Sequence, residues 1–142
     1  MIATILLTVV MSQFGPGRAD ARDPDQRTTL TGLTQVDGTL WQMIVRSPAM
    51  GIDIPFQVIR PAGAPMGAPT LYLLNGAGGG EDGANWLAQT DAQQFFAGKF
   101  VNVVIPARGL GSYYTDWIAA DPQVGQPMWA TFLTDELPDV VD

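Results

Sequence analysis

A glycine-rich loop follows a short apolar run in the middle of the chain. The apolar run at 71–74 ends at Asn75-Gly76, and Ala77 and three consecutive glycines at 78–80 come next. A buried parallel strand that ends in such a loop delivers a flexible backbone to the functional edge of a sheet. We therefore interpret this loop as part of a catalytic site.

The side chains that usually perform catalysis beside such a loop are missing from this sequence. It has no histidine and no cysteine, and its three serines, Ser12, Ser47 and Ser112, lie outside any Gly-x-Ser-x-Gly turn. Histidine is the usual general base at neutral pH and the commonest metal ligand, and thiolate sites need cysteine. The chain therefore cannot form a Ser–His–acid triad by itself. We expect neither a metal site nor a cofactor.

Composition indicates a small globular protein of acidic character. The 142 residues are 46% hydrophobic and 15% charged, and the net charge is −7 with a pI near 4.2. The seven basic residues are scattered and form no patch that could neutralise phosphates. Nucleic acid is therefore not an expected partner, and an anionic membrane surface would repel the chain.

Residues 1–21 are predicted to be a signal peptide. The apolar run at 2–11 is shorter than the roughly 20 residues of a membrane-spanning helix. A Gly-Pro-Gly at 15–17 ends any helix, and Ala-Asp-Ala at 19–21 offers the small residues that a signal peptidase requires. A basic segment before the apolar run is lacking, so a buried N-terminal strand stays open as the alternative. We expect export to the medium or the cell envelope, with a mature chain that begins near Arg22.

Two segments with alternating polarity predict an antiparallel hairpin. They lie at 40–46 and 52–58, on either side of a turn at 47–51. Pro55 favours an edge position or a strand boundary for the second segment. Residues 22–38 form a polar N-terminal segment, and we place the folded domain at 39–142.

The next elements predict a right-handed βαβ unit. Apolar strands at 70–74 and 100–105 are expected to be buried on both faces. Between them, Thr90 and Gln93 have the spacing of a capping box and open a short helix.

A last helix is predicted from Pro127 in its first turn and from one apolar face. That face comprises Trp129, Phe132, Leu133 and Leu137. A parallel sheet that ends on this helix, with no later strand, looks unfinished.

Residues 78–83 also match the dinucleotide-binding pattern G-x-G-x-x-G. That pattern needs a helix start directly behind it, where the helix dipole meets the pyrophosphate. Here Glu81 and Asp82 would repel phosphate, and the first clear helix start is Thr90. Nucleotide binding is therefore disfavoured.

Several blocks taken together resemble the secreted mycolyltransferases of the mycobacterial envelope, in the esterase-D-type branch of the α/β-hydrolases. The resemblance covers about residues 46–142, and its blocks lie at 71–76, 82–86, 103–106, 112–117 and 129–138. Its most specific part is Tyr-Tyr-Thr-Asp-Trp followed by Trp-Ala-Thr-Phe-Leu-Thr-Asp-Glu-Leu-Pro. The resemblance implies acyl transfer from a lipid or sugar ester to a sugar or glycolipid acceptor, through an acyl-serine intermediate and without a cofactor.

The resemblance also assigns roles within the glycine loop. The family's strand ends in Leu-Leu-Asp-Gly-Leu-Arg, so Asn75 stands for its Asp, Gly76 for its Gly and Gly78 for the Arg that meets the sugar. Ala77 stands for the residue whose backbone N–H helps to form the oxyanion hole. Asn75 and Gly78 depart from the family because each lacks a charge that the family has there. The alternative for this loop is a mobile strand–helix connection.

Asp116 and Trp117 complete the candidate substrate-binding residues, together with Asn75, Gly76 and Gly78. The resemblance implies that they lie in a loop beside the active-site cleft. In the alternative, which we favour, Trp117 anchors this loop in the core and Asp116 caps a turn.

These observations predict an α/β protein with a partial α/β-hydrolase fold. In it, an N-terminal antiparallel hairpin is followed by the parallel βαβ unit, and the chain is truncated before the nucleophile strand. The family's serine, acid and histidine come later in its sequence and map to no residue here. We predict the N-terminal fragment of a secreted serine acyltransferase or esterase, inactive alone. A truncated reading frame or a split gene would produce it, and a complementing C-terminal half or self-association would complete it. The alternative is a non-catalytic secreted binding or interaction module.

Overall fold

A mixed five-stranded sheet forms the centre of the fold, with strand order β1-β2-β3-β5-β4. The computed structural model describes residues 26–61, 63 and 67–141, so the predicted signal peptide at 1–21 lies outside the described residues. The strands are β1 Thr29–Asp37, β2 Leu40–Ser47, β3 Ile52–Ile59, β4 Thr70–Tyr72 and β5 Asn102–Pro106. The helices are α1 Trp86–Gln89, α2 Ala92–Phe96, α3 Trp129–Thr131 and α4 Pro138–Val141, with a π-helical segment Phe132–Glu136 between the last two.

The predicted antiparallel hairpin is confirmed as β2 and β3. Met43 pairs with Phe56 and Val45 pairs with Ile54, and all four side chains are buried. Alternation of polarity places these four side chains on one face of the sheet, because successive strand residues point to opposite faces. Gly51 closes the connecting turn at φ +64°, a conformation that glycine adopts without steric cost.

The prediction of an edge or boundary position for Pro55 is wrong. Pro55 lies within β3, opposite Ile44, and β3 lies between β2 and β5. Its carbonyl accepts a hydrogen bond from the N–H of Ala107, and strand pairing between β3 and β5 begins one residue later, at Phe56. Both backbone polar groups of a strand residue point to the same neighbour. The backbone N–H that Pro55 lacks would therefore point past Pro106, the last residue of β5 that pairs with β3.

The strand β1 was not predicted from the sequence, and it begins within the segment interpreted as polar and outside the domain. It pairs antiparallel with β2, from Thr29 opposite Arg46 to Asp37 opposite Leu40. The register shifts twice along β1, so its apolar residues do not alternate regularly. Because of this irregularity, β1 lacks the period-2 alternation by which a strand is recognised in a sequence.

The strands β4 and β5 run parallel, with Leu71 opposite Val103, and β4 lies at the edge of the sheet. The segment between them contains two short helices where the sequence predicted one. Asn85 caps the unpredicted α1, because its side chain accepts a hydrogen bond from the N–H of Ala88 at 3.0 Å.

The capping box predicted at Thr90 is wrong. Thr90 ends α1, and its hydroxyl donates to the carbonyl oxygen of Trp86 while accepting from the N–H of Ala92. The N-cap residue of α2 is Asp91, whose side chain makes no capping hydrogen bond. The Thr90 hydroxyl therefore binds both helices: it donates to the last turn of α1 and accepts from the first N–H of α2, without the reciprocal contact to Gln93 that a capping box requires.

The apolar face predicted for the last helix is confirmed. The helix begins at Trp129, after the N-cap residue Met128. Pro127 therefore lies before the N-cap, and its predicted place in the first turn is wrong. The π-helical segment separates Phe132 and Leu137 by one wide turn, in which the N–H of Leu137 donates to the carbonyl of Phe132. This turn directs both side chains into the same core.

The core has two parts, one on each face of the sheet. The larger part joins the helical region 129–141 to buried sheet residues, and it contains Met43, Val45, Ile54, Phe56, Val104, Trp129, Phe132 and Leu137. The smaller part lies under α1 and α2 and contains Ile59, Ala92, Val103 and Ile105. Within the described residues, no helix has the length and apolar character needed to cross a membrane.

Candidate functional site

The glycine loop begins with Asn75, whose side chain holds three segments together. Its Nδ2 donates to the carbonyl of Pro106 at 2.6 Å and lies 3.5 Å from the carbonyl of Gly79. Its Oδ1 accepts from the N–H of Trp86 at 3.4 Å. Asn75 is buried, so its amide joins the ends of β4 and β5 to the start of α1.

The peptide group between Gly76 and Ala77 has a defined orientation. The carbonyl oxygen of Gly76 accepts a hydrogen bond from the N–H of Gly79 at 2.9 Å, which directs it into the loop. In a planar trans peptide the N–H points opposite to the C=O, so the N–H of Ala77 points out of the loop. Ala77 is exposed, and no hydrogen-bond acceptor for its N–H lies within the part of the chain that the structure describes.

A second loop, at 108–117, packs against the glycine loop. The N–H of Gly111 donates to the carbonyl of Ala77 at 2.8 Å. Gly79 lies so close to this loop that an added Cβ would be 2.5 Å from the backbone nitrogen of Leu110. A side chain at position 79 is therefore disfavoured both by this close contact and by the positive φ of +63°. The two loops therefore pack directly against each other.

Glu81 joins the same two loops and was missed as a site residue in the sequence. Its Oε1 accepts hydrogen bonds from the N–H groups of Gly109 at 3.0 Å and Leu110 at 3.1 Å. The sequence analysis considered Glu81 as a group that repels phosphate. The sequence signal that could have identified Glu81 is a carboxylate within a glycine-rich loop. An ionised carboxylate forms strong hydrogen bonds to backbone N–H groups, so it can hold such a loop in place.

Gly78 leaves no space for a larger residue unless Asp82 moves. An added Cβ at Gly78 would clash with the carboxylate of Asp82, which in turn accepts from the N–H of Ala84 at 2.9 Å. The carboxylate of Asp82 therefore occupies the space in which a side chain at position 78 would lie.

Ser112 is buried, and its hydroxyl is already engaged within the second loop. Its Oγ donates to the carbonyl of Gly109 at 2.7 Å and accepts from the N–H of Tyr114 at 3.2 Å. The next two residues, Tyr113 and Tyr114, have φ of 54° and 51°, a region that non-glycine residues seldom adopt. Strain of this kind is concentrated at functional sites, where surrounding contacts maintain it.

Asp116 and Trp117 both hold the second loop in place. The carboxylate of Asp116 accepts from the N–H and the hydroxyl of Thr131, at 3.1 Å and 2.8 Å, and so caps the first turn of α3 from outside the helix. The indole N–H of Trp117 donates to the carbonyl of Ser112 at 3.1 Å. Trp117 is half-buried, so part of its ring remains open to solvent. A role of either residue in substrate binding stays a prediction.

The six residues predicted for the site therefore lie on two loops that contact each other. Two clefts adjoin this pair of loops. One, of ≈ 220 Å³, is lined by Leu74, Asn75, Gly76, Asn85 and Trp86. The other, of ≈ 300 Å³, is bordered by Glu81, Arg108, Leu110, Gln123 and Gln126. Within the described residues, no group of three or more carboxylates is arranged to hold a metal ion.

Tyr114 belongs to the second loop, and its side chain packs against the larger part of the core. Its ring contacts Trp129 edge to face, with the ring centroids 5.2 Å apart. Burial raises the pKa of the Tyr114 hydroxyl above its usual value, and the Glu81 carboxylate adds to the rise, while the backbone of Asn75 lowers it in part. The folded state therefore favours the protonated form of Tyr114.

This raised pKa predicts a loss of stability at alkaline pH. The contribution of Tyr114 is fully present below the unfolded pKa of about 10, and it is lost as the pH rises through the higher folded value. We expect Tyr114→Phe to reduce the slope of the unfolding free energy against pH above about pH 10. Urea denaturation at a series of pH values measures this slope. Tyr113→Phe, at a side chain that is 79% exposed, is the matched control and is expected to keep the parental slope.

The comparison with protein families matches residues 47–142 to the family model Esterase, described as "Putative esterase". This match covers more than half of the chain, so the chain belongs to this esterase family. The resemblance to mycolyltransferases inferred from the sequence is confirmed by individual relatives.

Three of these relatives come from mycobacteria. The chain is 42% identical over 97 residues to the "MPT51/MPB51 antigen" of Mycobacterium bovis, which covers 68% of this chain and 29% of that protein. It is 38% identical over 99 residues to the "Diacylglycerol acyltransferase/mycolyltransferase Ag85A" of Mycobacterium leprae, covering 66% and 28%. It is 37% identical over 102 residues to the corresponding Ag85B of Mycolicibacterium smegmatis, covering 68% and 30%. The matched region thus spans less than a third of the length of these relatives.

Proposed function

We propose that this chain forms the N-terminal part of a serine acyltransferase or esterase domain and supplies one of its oxyanion donors. The observation that carries this proposal is the N–H of Ala77, which is exposed and points out of a braced loop at the end of a parallel strand. Such a donor stabilises the negative oxygen that forms when a serine attacks an ester carbonyl. Because the donor is a backbone group, alanine can replace the family's leucine.

The reaction in the complete domain is acyl transfer in two steps. A serine oxygen attacks the carbonyl carbon of the ester, and the alcohol leaves with a proton as the acyl-serine forms. A hydroxyl of the acceptor then attacks the acyl-serine and regenerates the serine. Two relatives are named diacylglycerol acyltransferase/mycolyltransferase, which supports the transfer of a lipid acyl group from an ester substrate. The serine and its base belong to a part of the domain that maps to no residue here.

The sheet supports an incomplete α/β-hydrolase fold with a right-handed βαβ unit. Among the described strands, β4 pairs with β5 and has no neighbour on its outer side. Leu71 and Leu74 beside this edge are partly exposed. An open edge with apolar neighbours binds another strand readily. We propose that a C-terminal half of the domain, or a second copy of this chain, pairs there, and that the protein is exported to the medium or the cell envelope.

Complementation tests this function. The chain alone is expected to hydrolyse no p-nitrophenyl butyrate and to react with no fluorophosphonate probe, since it lacks histidine and a nucleophile turn. The C-terminal region of a related mycolyltransferase, added in trans, is expected to restore both signals. Ala77→Pro removes the donor N–H and is expected to lower turnover by about 10²–10³-fold, while Ala77→Gly retains it and retains activity.

Two outcomes would contradict this function. Equal activity of the proline and glycine variants would show that the Ala77 N–H is not an oxyanion donor. A mixture that stays inactive, with the chain remaining a cooperatively folded monomer in size-exclusion chromatography, would favour the non-catalytic binding or interaction module. Circular dichroism of each variant checks that the fold is retained.

A further inference from the structure

A sequence of contacts leads from Glu81 to the N–H of Ala77. The carboxylate of Glu81 binds the N–H groups of Gly109 and Leu110, and the same backbone segment packs directly on Gly79. The N–H of Gly79 in turn holds the carbonyl of Gly76, which lies in the same peptide plane as the N–H of Ala77. Each step is a hydrogen bond or a close backbone contact.

A second connection ends at the same place. The N–H of Gly111, two residues after Gly109, donates to the carbonyl of Ala77. The segment bound by Glu81 therefore acts on the carbonyls on both sides of the Ala77 N–H. It binds the carbonyl of Ala77 directly through Gly111, and it packs on Gly79, whose N–H binds the carbonyl of Gly76. Gly109 has φ +121° and Gly111 has φ +67°, so this segment depends on outside contacts to keep one conformation.

We propose that Glu81 is the residue that positions the Ala77 N–H, by clamping the 109–111 backbone onto the glycine loop. This inference rests on the proposed oxyanion role of Ala77. Glu81 acts through other groups and does not contact the reacting atoms, so it is a positioning residue. Both hydrogen bonds end on one carboxylate oxygen, and charge-assisted hydrogen bonds are stronger than those between neutral groups.

Asp82 provides a matched control. It is the next residue, it carries the same charge, and it lies in the same loop. Its carboxylate accepts from the N–H of Ala84, within its own loop, and does not reach the 109–111 segment. Removing the charge of Glu81 therefore removes the clamp between the loops, while removing that of Asp82 leaves the clamp in place.

Amide hydrogen exchange followed by nuclear magnetic resonance tests the proposal on the intact chain. Glu81→Ala is expected to raise the exchange rates of the Gly79 and Gly111 amides by at least about tenfold, which corresponds to 1.4 kcal/mol. Exchange in β5 is expected to stay within a factor of two or so of the parent. Glu81→Gln keeps a neutral acceptor and is expected to give a smaller rise, and Asp82→Asn is expected to give none at Gly111.

Two results would overturn the proposal. One is unchanged exchange at Gly79 and Gly111 in Glu81→Ala. The other is a rise that is equal at these amides and in β5, which would reveal a general loss of stability instead of a local release. Neither readout needs catalysis, so a failure of complementation would count against the proposed function and leave this exchange result interpretable.

Discussion

Replacing Phe132 by alanine is expected to lower the free energy of unfolding by about 3–5 kcal/mol, the usual cost of truncating a buried aromatic residue. Phe132 is 0% exposed and contacts Phe56 in a stacked arrangement and Trp129 edge to face, at centroid distances of 5.9 and 5.8 Å. Phe132 therefore connects the helical region 129–141 to the sheet within the larger part of the core. Since small domains are stable by about 5–15 kcal/mol, a large part of the total is at stake.

Urea denaturation followed by tryptophan fluorescence measures this effect. Phe95→Ala is the control, because Phe95 is 55% exposed and its ring contacts Phe96 edge to face and the ammonium of Lys99. We expect the control to cost about 1 kcal/mol or less. Similar losses for the two variants would mean that the helix at 129–141 does not close the core as described.

Gly79→Ala is expected to destabilise the protein by about 2–4 kcal/mol and to separate the two loops of the candidate site. Part of this cost comes from the positive φ, which disfavours any side chain by about 1–2 kcal/mol. The rest comes from a Cβ placed 2.5 Å from the backbone nitrogen of Leu110, where backbone must move to make room.

Gly83→Ala separates these two causes. Gly83 has φ +80° in the same loop, but nothing lies within 4 Å of its added Cβ. It is expected to show the conformational cost alone, about 1–2 kcal/mol, with normal exchange protection at Gly111. An equal loss of stability in both variants, with Gly111 protected in both, would show that the contact between the loops is not tight.

Several features were predictable because they depend on local pattern. Regular alternation identified the hairpin of β2 and β3, and helical spacing identified the buried face of Trp129, Phe132 and Leu137. Both signals follow from the periods of strand and helix, which a short segment already contains. The family was also recognisable, since motifs such as Trp-Ala-Thr-Phe-Leu-Thr are local strings of residues.

Other features were hidden because they depend on interactions between distant segments. The bulges of β1 interrupt its alternation and become compatible with a strand only when β2 pairs with it. The hydroxyl of Thr90 donates to α1 and accepts from α2, and spacing alone did not reveal the contact with α1. Pro55 is tolerated inside β3 because β5 ends opposite to it.

The candidate site divides in the same way. Sequence alone determined that a glycine loop follows an apolar strand and that no Ser–His–acid triad can form from these residues, and the family resemblance predicted the oxyanion position at Ala77. The tertiary structure decided how these groups are used: Asn75 and Ser112 hold the loops, Asp116 caps a helix 15 residues away, and the N–H of Ala77 finds no acceptor among the residues that the structure describes. The reason is physical, because a backbone N–H is present at every residue except proline, and only the arrangement of its neighbours determines whether it can bind a ligand.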